Sequence, residues 1–251
     1  MKRNSEPGFD AYDVAYLYLA AIFLAALVVC NLIVQKFFLW EPLGIKNWFY
    51  LSAGILPYPL TFLVTDILSE CYGRRRANQV VYAGFVASVF VLGVVLLADS
   101  VKSVGAVDLL TGEAIEGRVF DRWFHQIFGT TGRAIAASMA AYLVAQLIDI
   151  RIFHFWRRVT GGKHLWLRNN ASTILSQLVD TTLVVTFLFV GTSQAPNIPK
   201  MIVAGWSFKA FVALLDTPFF YGAVFLWRRW FPEIMAARDQ MEVGSSNPAA
   251  S

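Results

Sequence analysis

One apolar segment, residues 168–191, restricts the fold of this chain more than any other part. It reads RNNASTILSQLVDTTLVVTFLFVG, and its one formal charge between residues 171 and 190 is that of Asp180. About 20 mostly apolar residues make a helix long enough to cross a bilayer. A carboxylate there costs roughly 2.5–3.5 kcal/mol on insertion scales and normally faces a polar interior. Helical periodicity places four polar residues on one face of this segment, namely Thr173, Ser176, Gln177 and Asp180. We therefore expect this face to form one wall of a site.

The composition predicts a membrane protein with one domain. Hydrophobic residues make up 57% of the 251-residue chain and charged residues 15%, with a mean hydropathy of +0.55. That is too apolar for an ordinary soluble domain. The evenly recurring apolar segments predict a membrane domain over residues 14–230. It lies between an N-terminal tail, residues 1–13, and a polar C-terminal tail, residues 231–251, which is predicted to be cytoplasmic and disordered.

The apolar segments predict an all-α integral membrane protein with six transmembrane helices. In the second span, Pro57 and Pro59 predict a kink or an unwound turn, since prolines lack a backbone N–H. Residues 119–129 mix aromatic and charged side chains, which predicts an amphipathic helix at the membrane interface. The six predicted spans are residues 14–38, 48–69, 78–98, 133–155, 171–190 and 201–227.

The distribution of Lys and Arg predicts the orientation. Twelve of them lie in segments on the side of the N-terminus and seven on the other side. Basic residues concentrate in cytoplasmic loops, so both termini are predicted to be cytoplasmic. These Lys and Arg residues form short clusters beside the apolar spans. The clusters account for the net charge of +4, so this charge does not indicate a nucleic-acid-binding patch. Cys30 and Cys71 stand alone and predict no metal site, and we expect no cofactor.

Polar residues inside the predicted spans define a candidate substrate site. Carboxylates and amides suit a neutral, planar ligand, because a carboxylate accepts two parallel N–H bonds and an amide both donates and accepts. Two simpler roles stay open: an Asp180–Lys209 ion pair that only joins two helices, and interhelical hydrogen bonds worth about 0.6 kcal/mol each. The candidate site residues are Asn31, Asp66, Glu70, Gln146, Asp149, Ser176, Gln177, Asp180 and Lys209.

Further residues complete this inventory. Gln35 shares a helix face with Asn31, four residues away. Aromatic side chains would stack on a flat ligand, and the alternative is that each faces lipid or the core. The aromatic candidates are Tyr58, Phe62, Tyr142, Phe208 and Phe211.

A short internal similarity links the fourth and fifth spans. Residues 145–149 read AQLID and residues 176–180 read SQLVD. Matched polar groups in oppositely oriented spans are typical of transporters built from inverted repeats. Five residues are too few to establish a duplication, which stays open.

Three longer stretches resemble the queuosine precursor transporter family, also described as vitamin-uptake transporters. They are TFLVTDILSECYGRRRA, FGTTGRAIAASMAAYLVAQLID and GGKHLWLRNNASTILSQLVDTTLVVTFLFVG. Their specific parts are TD-x3-E-x-YG, Q-x2-D and LWLRN-x2-ST-x2-SQ-x2-D. With the region of Asn31, the resemblance covers residues 31–216. It implies six helices in a bacterial inner membrane and uptake of a 7-deazaguanine base for queuosine synthesis. The implied partners are that base and the lipid bilayer, and a homo-oligomer stays open.

Other functions fit the sequence less well. The chain has no GxxxxGK[ST] phosphate loop, so it hydrolyses no nucleotide through that motif. It would be the substrate-binding subunit of an ATP-driven vitamin-uptake complex only if a separate ATPase supplied the energy. An intramembrane aspartyl protease is disfavoured, since the LLDTP segment at residues 214–218 has no glycine beside its Asp. A purely structural subunit explains the polar faces poorly. We therefore expect a transporter and not an enzyme, with the precursor base and any coupling ion left open.

Overall fold

The computed structural model of the protein describes residues 10–33, 36–40, 49–108, 110–129, 132–161, 164–191 and 195–245. Two short antiparallel hairpins accompany the helices. Strand β1 (Phe37–Trp40) pairs with β2 (Phe49–Ser52), and β3 (Ala106–Val107) pairs with β4 (Ala114–Ile115). The α-helices of the described residues are α1 (Ala11–Leu32), α2 (Tyr58–Cys71), α3 (Arg74–Ser100), α4 (Gly117–Phe124), α5 (Gly132–Val159), α6 (Leu165–Phe189), α7 (Ile198–Trp230) and α8 (Pro232–Ser245).

The surface of the bundle is apolar and its interior contains charged side chains, as expected for a helical membrane protein. Phe90 and Leu97 on α3 and Phe219 on α7 are largely exposed, whereas Asp66 and Asp149 are buried. A soluble protein keeps its carboxylates in water. Among the described residues, three helical stretches are long and apolar enough to cross a bilayer: α1, α3 and Ala195–Trp230. The predicted class is therefore confirmed.

The remaining helices differ from ideal spans in length or polarity. α5 and α6 have 28 and 25 residues, the length of a span, but they contribute many of the polar side chains of the interior. α2 has 14 residues, which at about 1.5 Å per residue gives about 21 Å, against a hydrocarbon core of about 30 Å. The apolarity of the helices therefore supports three crossings, and the count of six stays a prediction.

The second predicted span, residues 48–69, is α-helical only in its second half. This segment begins with β2 and a 3₁₀ turn (Ala53–Ile55), and helix α2 starts only at Tyr58. Pro57 is the N-cap residue and Pro59 lies in the first helical turn. A proline is tolerated there because the N–H groups of the first turn have no partner within the helix. The two prolines therefore begin a short helix instead of kinking a long one.

The first span ends earlier than predicted. α1 runs to Leu32 and not to residue 38, because Phe37 and Phe38 belong to β1 and pair with β2. Its start is fixed by Asp10, whose carboxylate accepts a hydrogen bond from the backbone N–H of Ala11. Gln35, predicted to share a face with Asn31, lies outside the described residues.

The prediction of a disordered C-terminal tail is wrong for residues 232–245, which form α8. Met235 is buried in the core, and the Arg238 guanidinium donates a 2.6 Å hydrogen bond to the carbonyl of Ser69. These contacts join distant parts of the chain, so local composition does not reveal them. The predicted helix at residues 119–129 is present as α4 followed by a π-helical turn, His125–Gly129. Its place at the membrane interface stays a prediction.

Successive helices of the bundle run in opposite directions. α1, α3 and α6 start at one end of the bundle, where α2, α5 and α7 finish. Contacts there join these helix ends: Arg76 pairs with Asp13 at 2.9 Å, and the Tyr12 hydroxyl donates to the carbonyl of Cys71. We call this the basic end, after Arg76, Arg157, Arg168 and Arg228. The β1–β2 hairpin precedes the start of α2 at the opposite, hairpin end.

Helix α2 lies in the centre of the bundle and α1 packs closely on α3. Nearly every residue of α2 from Thr61 to Cys71 is buried. Gly84 of α3 faces α1, and a Cβ atom at this position would lie 2.6 Å from the Phe23 ring and 2.9 Å from Leu27. Phe23 and Leu27 are themselves buried, so neither has room to move aside.

Replacing Gly84 should therefore destabilise the protein. Gly84→Val introduces a side chain into a filled contact, and overpacking costs about 1–3 kcal/mol. Gly93→Val on the same helix is the matched control, because no atom lies within 4 Å of a Cβ there. Thermal unfolding of the purified protein in detergent measures both changes. Equal midpoints for the two variants would contradict the close α1–α3 contact.

Candidate functional site

A cavity of about 160 Å³ lies among α1, α2, α5, α6 and α7, in the half of the bundle towards the hairpin end. Each helix contributes one residue to its polar wall, or two in the case of α5, and Ser52 of β2 also lines it. Apolar side chains such as Leu27, Met139 and Val184 complete it. We call it the main cavity, and its polar lining includes Asn31, Tyr58, Ser138, Tyr142, Asp180 and Lys209.

An ion pair forms part of the main cavity wall. Lys209 Nζ donates to Asp180 Oδ2 at 2.6 Å, and the two side chains are 13% and 3% exposed. The ammonium group also lies 4.2 Å from the centre of the Tyr58 ring, a favourable cation–π position. The Asp180–Lys209 pair considered from the sequence is therefore confirmed. It joins α6 to α7 and at the same time presents charge to the cavity.

A second, smaller cavity of about 10 Å³ shares Ile55, Tyr58 and Lys209 with the main one. Gln177 lies in its wall, and the Gln177 Oε1 atom is buried without a hydrogen-bond partner among the described residues. Buried polar atoms are normally hydrogen-bonded. An unsatisfied amide oxygen beside a cavity is therefore suited to accept a hydrogen bond from a ligand N–H group.

Further from the hairpin end, a buried polar network connects α2, α5 and α6. Thr65 donates to Gln146 Oε1 at 3.0 Å, Thr173 to Asp66 Oδ2 at 3.0 Å, and Ser176 to Asp149 Oδ1 at 2.9 Å. Eight residues, or about 12 Å of helix, separate Asp66 from Tyr58. We call this network the central layer; it consists of Thr65, Asp66, Gln146, Asp149, Thr173 and Ser176.

Glu70 lies at the basic end, among arginines. Its carboxylate is fully buried and pairs with Arg168 at 2.6 Å and with Arg157 at 3.3 Å, and Arg228 lies 3.8 Å away. The cluster ties the end of α2 to α5, α6 and α7. Gly73, which follows α2, has a positive φ of 89°, so the chain turns here into α3 with a backbone conformation that favours glycine.

The predicted site residues are thus divided among several levels of the bundle. Asn31, Asp180 and Lys209 line the main cavity, with Asn31 also donating to Ser88 Oγ at 3.5 Å, and Gln177 lines the smaller one. The central layer holds Asp66, Gln146, Asp149 and Ser176, and Glu70 lies at the basic end. Of the aromatic candidates, Tyr58 and Tyr142 line the main cavity, Phe62 and Phe208 line the smaller one, and Phe211 is half-exposed.

Arg157 and Arg168 were not predicted as site residues. In the sequence they contributed only to the number of basic residues that predicts the orientation. The sequence does contain a signal for Arg168. It lies four and eight residues before Ser172 and Ser176, so it continues a polar helix face towards the start of α6. A basic residue on a polar face of this kind is a candidate partner for a buried carboxylate.

Comparison with known proteins identifies the class of molecule. Residues 52–223, which include the polar residues of α2, α5, α6 and α7, match the family described as "Putative vitamin uptake transporter". The chain belongs to this family. The transporter is 30% identical over 176 residues to the "Probable queuosine precursor transporter" of Bacillus subtilis, covering 68% of this chain and 71% of that protein.

Two further relatives agree. The transporter is 23% identical over 186 residues to the "Queuosine precursor transporter" of Escherichia coli, covering 73% of this chain and 71% of the relative. It is 24% identical over 179 residues to the "Probable queuosine precursor transporter" of Haemophilus influenzae, with coverages of 70% and 69%. No solved structure matches the chain. The family resemblance and the expectation of a transporter and not an enzyme are confirmed.

Removing the carboxylate of Glu70 should strongly destabilise the transporter. Glu70→Gln takes away the charge shared by Arg157 and Arg168, and breaking a buried pair costs about 3–5 kcal/mol. Asp13→Asn is the control, because it breaks a half-exposed pair with Arg76 that is worth about 0–1 kcal/mol. Thermal unfolding in detergent should show a much larger shift for Glu70→Gln. Similar small shifts for both variants would contradict a stabilising role of this cluster.

Proposed function

We propose that this transporter imports a queuosine precursor, a base of the 7-deazaguanine type, across the bacterial inner membrane. The names of the relatives support the class of substrate. The observation that supports this site is the Asp180–Lys209 pair, which lies in the main cavity wall together with Tyr58 and Tyr142. The alternative of a binding subunit for an ATP-driven complex is not favoured by these relatives, whose names describe transporters.

The chemistry of the main cavity fits a flat base with adjacent N–H donors. The Asp180 carboxylate is able to accept two parallel N–H bonds from the edge of such a base. Tyr58 and Tyr142, which pack edge to face with ring centres 6.4 Å apart, add aromatic surface to the cavity wall. A volume of about 160 Å³ suits one small base, because pockets for drug-sized ligands measure about 300–1,000 Å³.

The arrangement of the helices supports six crossings with both termini in the cytoplasm. α1, α2, α3, α5, α6 and α7 alternate in direction, and their basic ends lie together. The positive-inside rule assigns that end to the cytoplasm. In this arrangement the shorter α2 crosses together with the segment that precedes it, and the main cavity lies in the outer half of the membrane. The closed, arginine-rich end then faces the cytoplasm.

Reporter fusions test this orientation. A fusion after Ser251 should report a cytoplasmic location, and an insertion at Gly112, in the connection between α3 and α5, an external one. Gly112 is suitable because a Cβ there would meet no atom within 4 Å. An alkaline phosphatase reporter and a fluorescent reporter, active on opposite sides, provide the measurement. The same signal from both positions would exclude the proposed orientation.

A ligand role for Asp180 is tested with Asp180→Asn, which keeps the shape of the side chain and removes its charge. Affinity for radiolabelled 7-cyano-7-deazaguanine should fall at least about tenfold, which is about 1.4 kcal/mol and within the strength of one charged hydrogen bond. Uptake into cells that cannot synthesise the base, and binding to purified protein, measure the loss. Full binding by a stable Asp180→Asn protein would exclude the ligand role.

The ion pair also stabilises the protein, so its two roles must be separated. Asp180→Asn leaves the buried ammonium of Lys209 without its carboxylate and should lower the unfolding temperature. Adding Lys209→Met to the same protein should restore stability but not binding. Recovery of binding together with stability would show that the pair acts only by joining α6 to α7.

A further inference from the structure

Two acidic side chains of the central layer are buried close together. Asp66 on α2 and Asp149 on α5 are 2% and 0% exposed, and both bind the same face of α6, at Thr173 and Ser176, which lie one turn apart. One oxygen of each accepts a bond from a hydroxyl, of Thr173 and Ser176 respectively. The other two, Asp66 Oδ1 and Asp149 Oδ2, are buried and have no hydrogen-bond partner among the described residues.

Burial of these two acids favours a proton on one of them. An ionised carboxylate that is buried with neither a cation nor a full set of donors is costly, and such a group is neutralised instead. Adjacent buried carboxylates also repel, and such pairs therefore retain a shared proton. Within the described part of the chain, neither Asp66 nor Asp149 forms an ion pair that would replace it. The pair therefore holds one proton and one negative charge.

The surrounding charged groups are engaged elsewhere or add negative charge. Glu70 pairs with Arg157 and Arg168, and Asp180 pairs with Lys209. Asp216 on α7 lines the smaller cavity together with Thr173, the residue that donates to Asp66, and so adds a further carboxylate on this side. The other titratable side chains on the buried faces of α2 and α5 are Tyr58, Cys71, Tyr142 and His154.

Each of the two acids lies on the same helix as a tyrosine of the main cavity wall. Asp66 lies eight residues after Tyr58 on α2, and Asp149 lies seven residues after Tyr142 on α5. These spacings place each acid on the same helix face as its tyrosine. A change in the distance between α2 and α5 at the acids would therefore also move the two tyrosines.

We propose that Asp66 and Asp149 form a proton-binding site that couples import of the base to influx of one proton. The proposal rests on the proposed function. The shared proton holds α2 against α5, and its loss leaves two carboxylates that repel and separate these helices. In each cycle the pair takes one proton from the outer side and releases it to the cytoplasm, so one proton and one neutral base enter together.

Transport by the purified protein in liposomes tests this coupling. Radiolabelled 7-cyano-7-deazaguanine reports the base, a dye inside the liposomes reports pH, and the membrane potential is clamped at zero. With the outside one pH unit more acidic, symport with one proton supports about tenfold accumulation of the base. Adding the base without a pH gradient should acidify the interior. Base-for-base exchange is measured in parallel, because it needs no net proton movement.

Substitutions of Asp66 and Asp149 test whether these two residues hold the transported proton. In Asp149→Asn the amide donates to the Asp66 carboxylate and imitates the protonated pair, so exchange should persist while accumulation and acidification are lost. Asp66→Asn should behave in the same way and covers the case that one variant does not fold. Asp13→Asn, which removes a carboxylate at the basic end, should keep accumulation, acidification and exchange.

Infrared spectroscopy provides a readout that does not depend on the base. The carbonyl band of a protonated carboxylic acid should be present in the unmodified protein and absent from Asp149→Asn and Asp66→Asn. Persistence of this carbonyl band in both variants would show that the proton is not held by Asp66 and Asp149. Exchange by the unmodified protein without accumulation or acidification would overturn the coupling alone. Absence of exchange would overturn the proposed substrate, and the coupling with it.

Discussion

The burial of two carboxylates on one short helix determines how the rest of the bundle is arranged. Asp66 and Glu70 lie one turn apart on α2, and neither is tolerated in contact with lipid. α2 therefore lies in the centre, and its neighbours supply donors: hydroxyls from α6 and guanidinium groups from α5 and α6. The outer faces of α1, α3 and α7 are left free to be apolar, and these are the helices with the composition of membrane spans.

The polar contacts follow one another along α2 in an order that suits transport. Tyr58 at its start faces the main cavity, Asp66 belongs to the central layer, and Glu70 at its end is held by arginines. Two levels of buried polar contacts, the central layer and the Glu70 cluster, would separate a ligand in the cavity from the solvent at the basic end. The same contacts that stabilise the bundle would therefore have to rearrange before a ligand could pass.

The sequence predicted well which residues share a helix face, and poorly which side chains of other helices they contact. The periodicity of α6 correctly placed Thr173, Ser176 and Asp180 on one face, because a regular helix fixes their directions. The structure shows that this face contacts three different side chains, on α2, α5 and α7. Only the Asp180–Lys209 pair was foreseen, since few cations lie within the spans. The arginines around Glu70 and the packing of α8 depend on contacts between distant segments, and the local composition of the chain does not contain them.

The position of the main cavity also has an electrical consequence. An aqueous cavity carries the potential of the outer solution inward, so the membrane voltage falls over the remaining, thinner part of the protein. In the proposed orientation that part extends from Lys209 to the arginines at Glu70 and contains Asp66 and Asp149. One elementary charge crossing the full voltage exchanges about 2.3 kcal/mol per 100 mV. A charge that moves only a short distance between the cavity and the basic end would therefore sense most of the membrane potential.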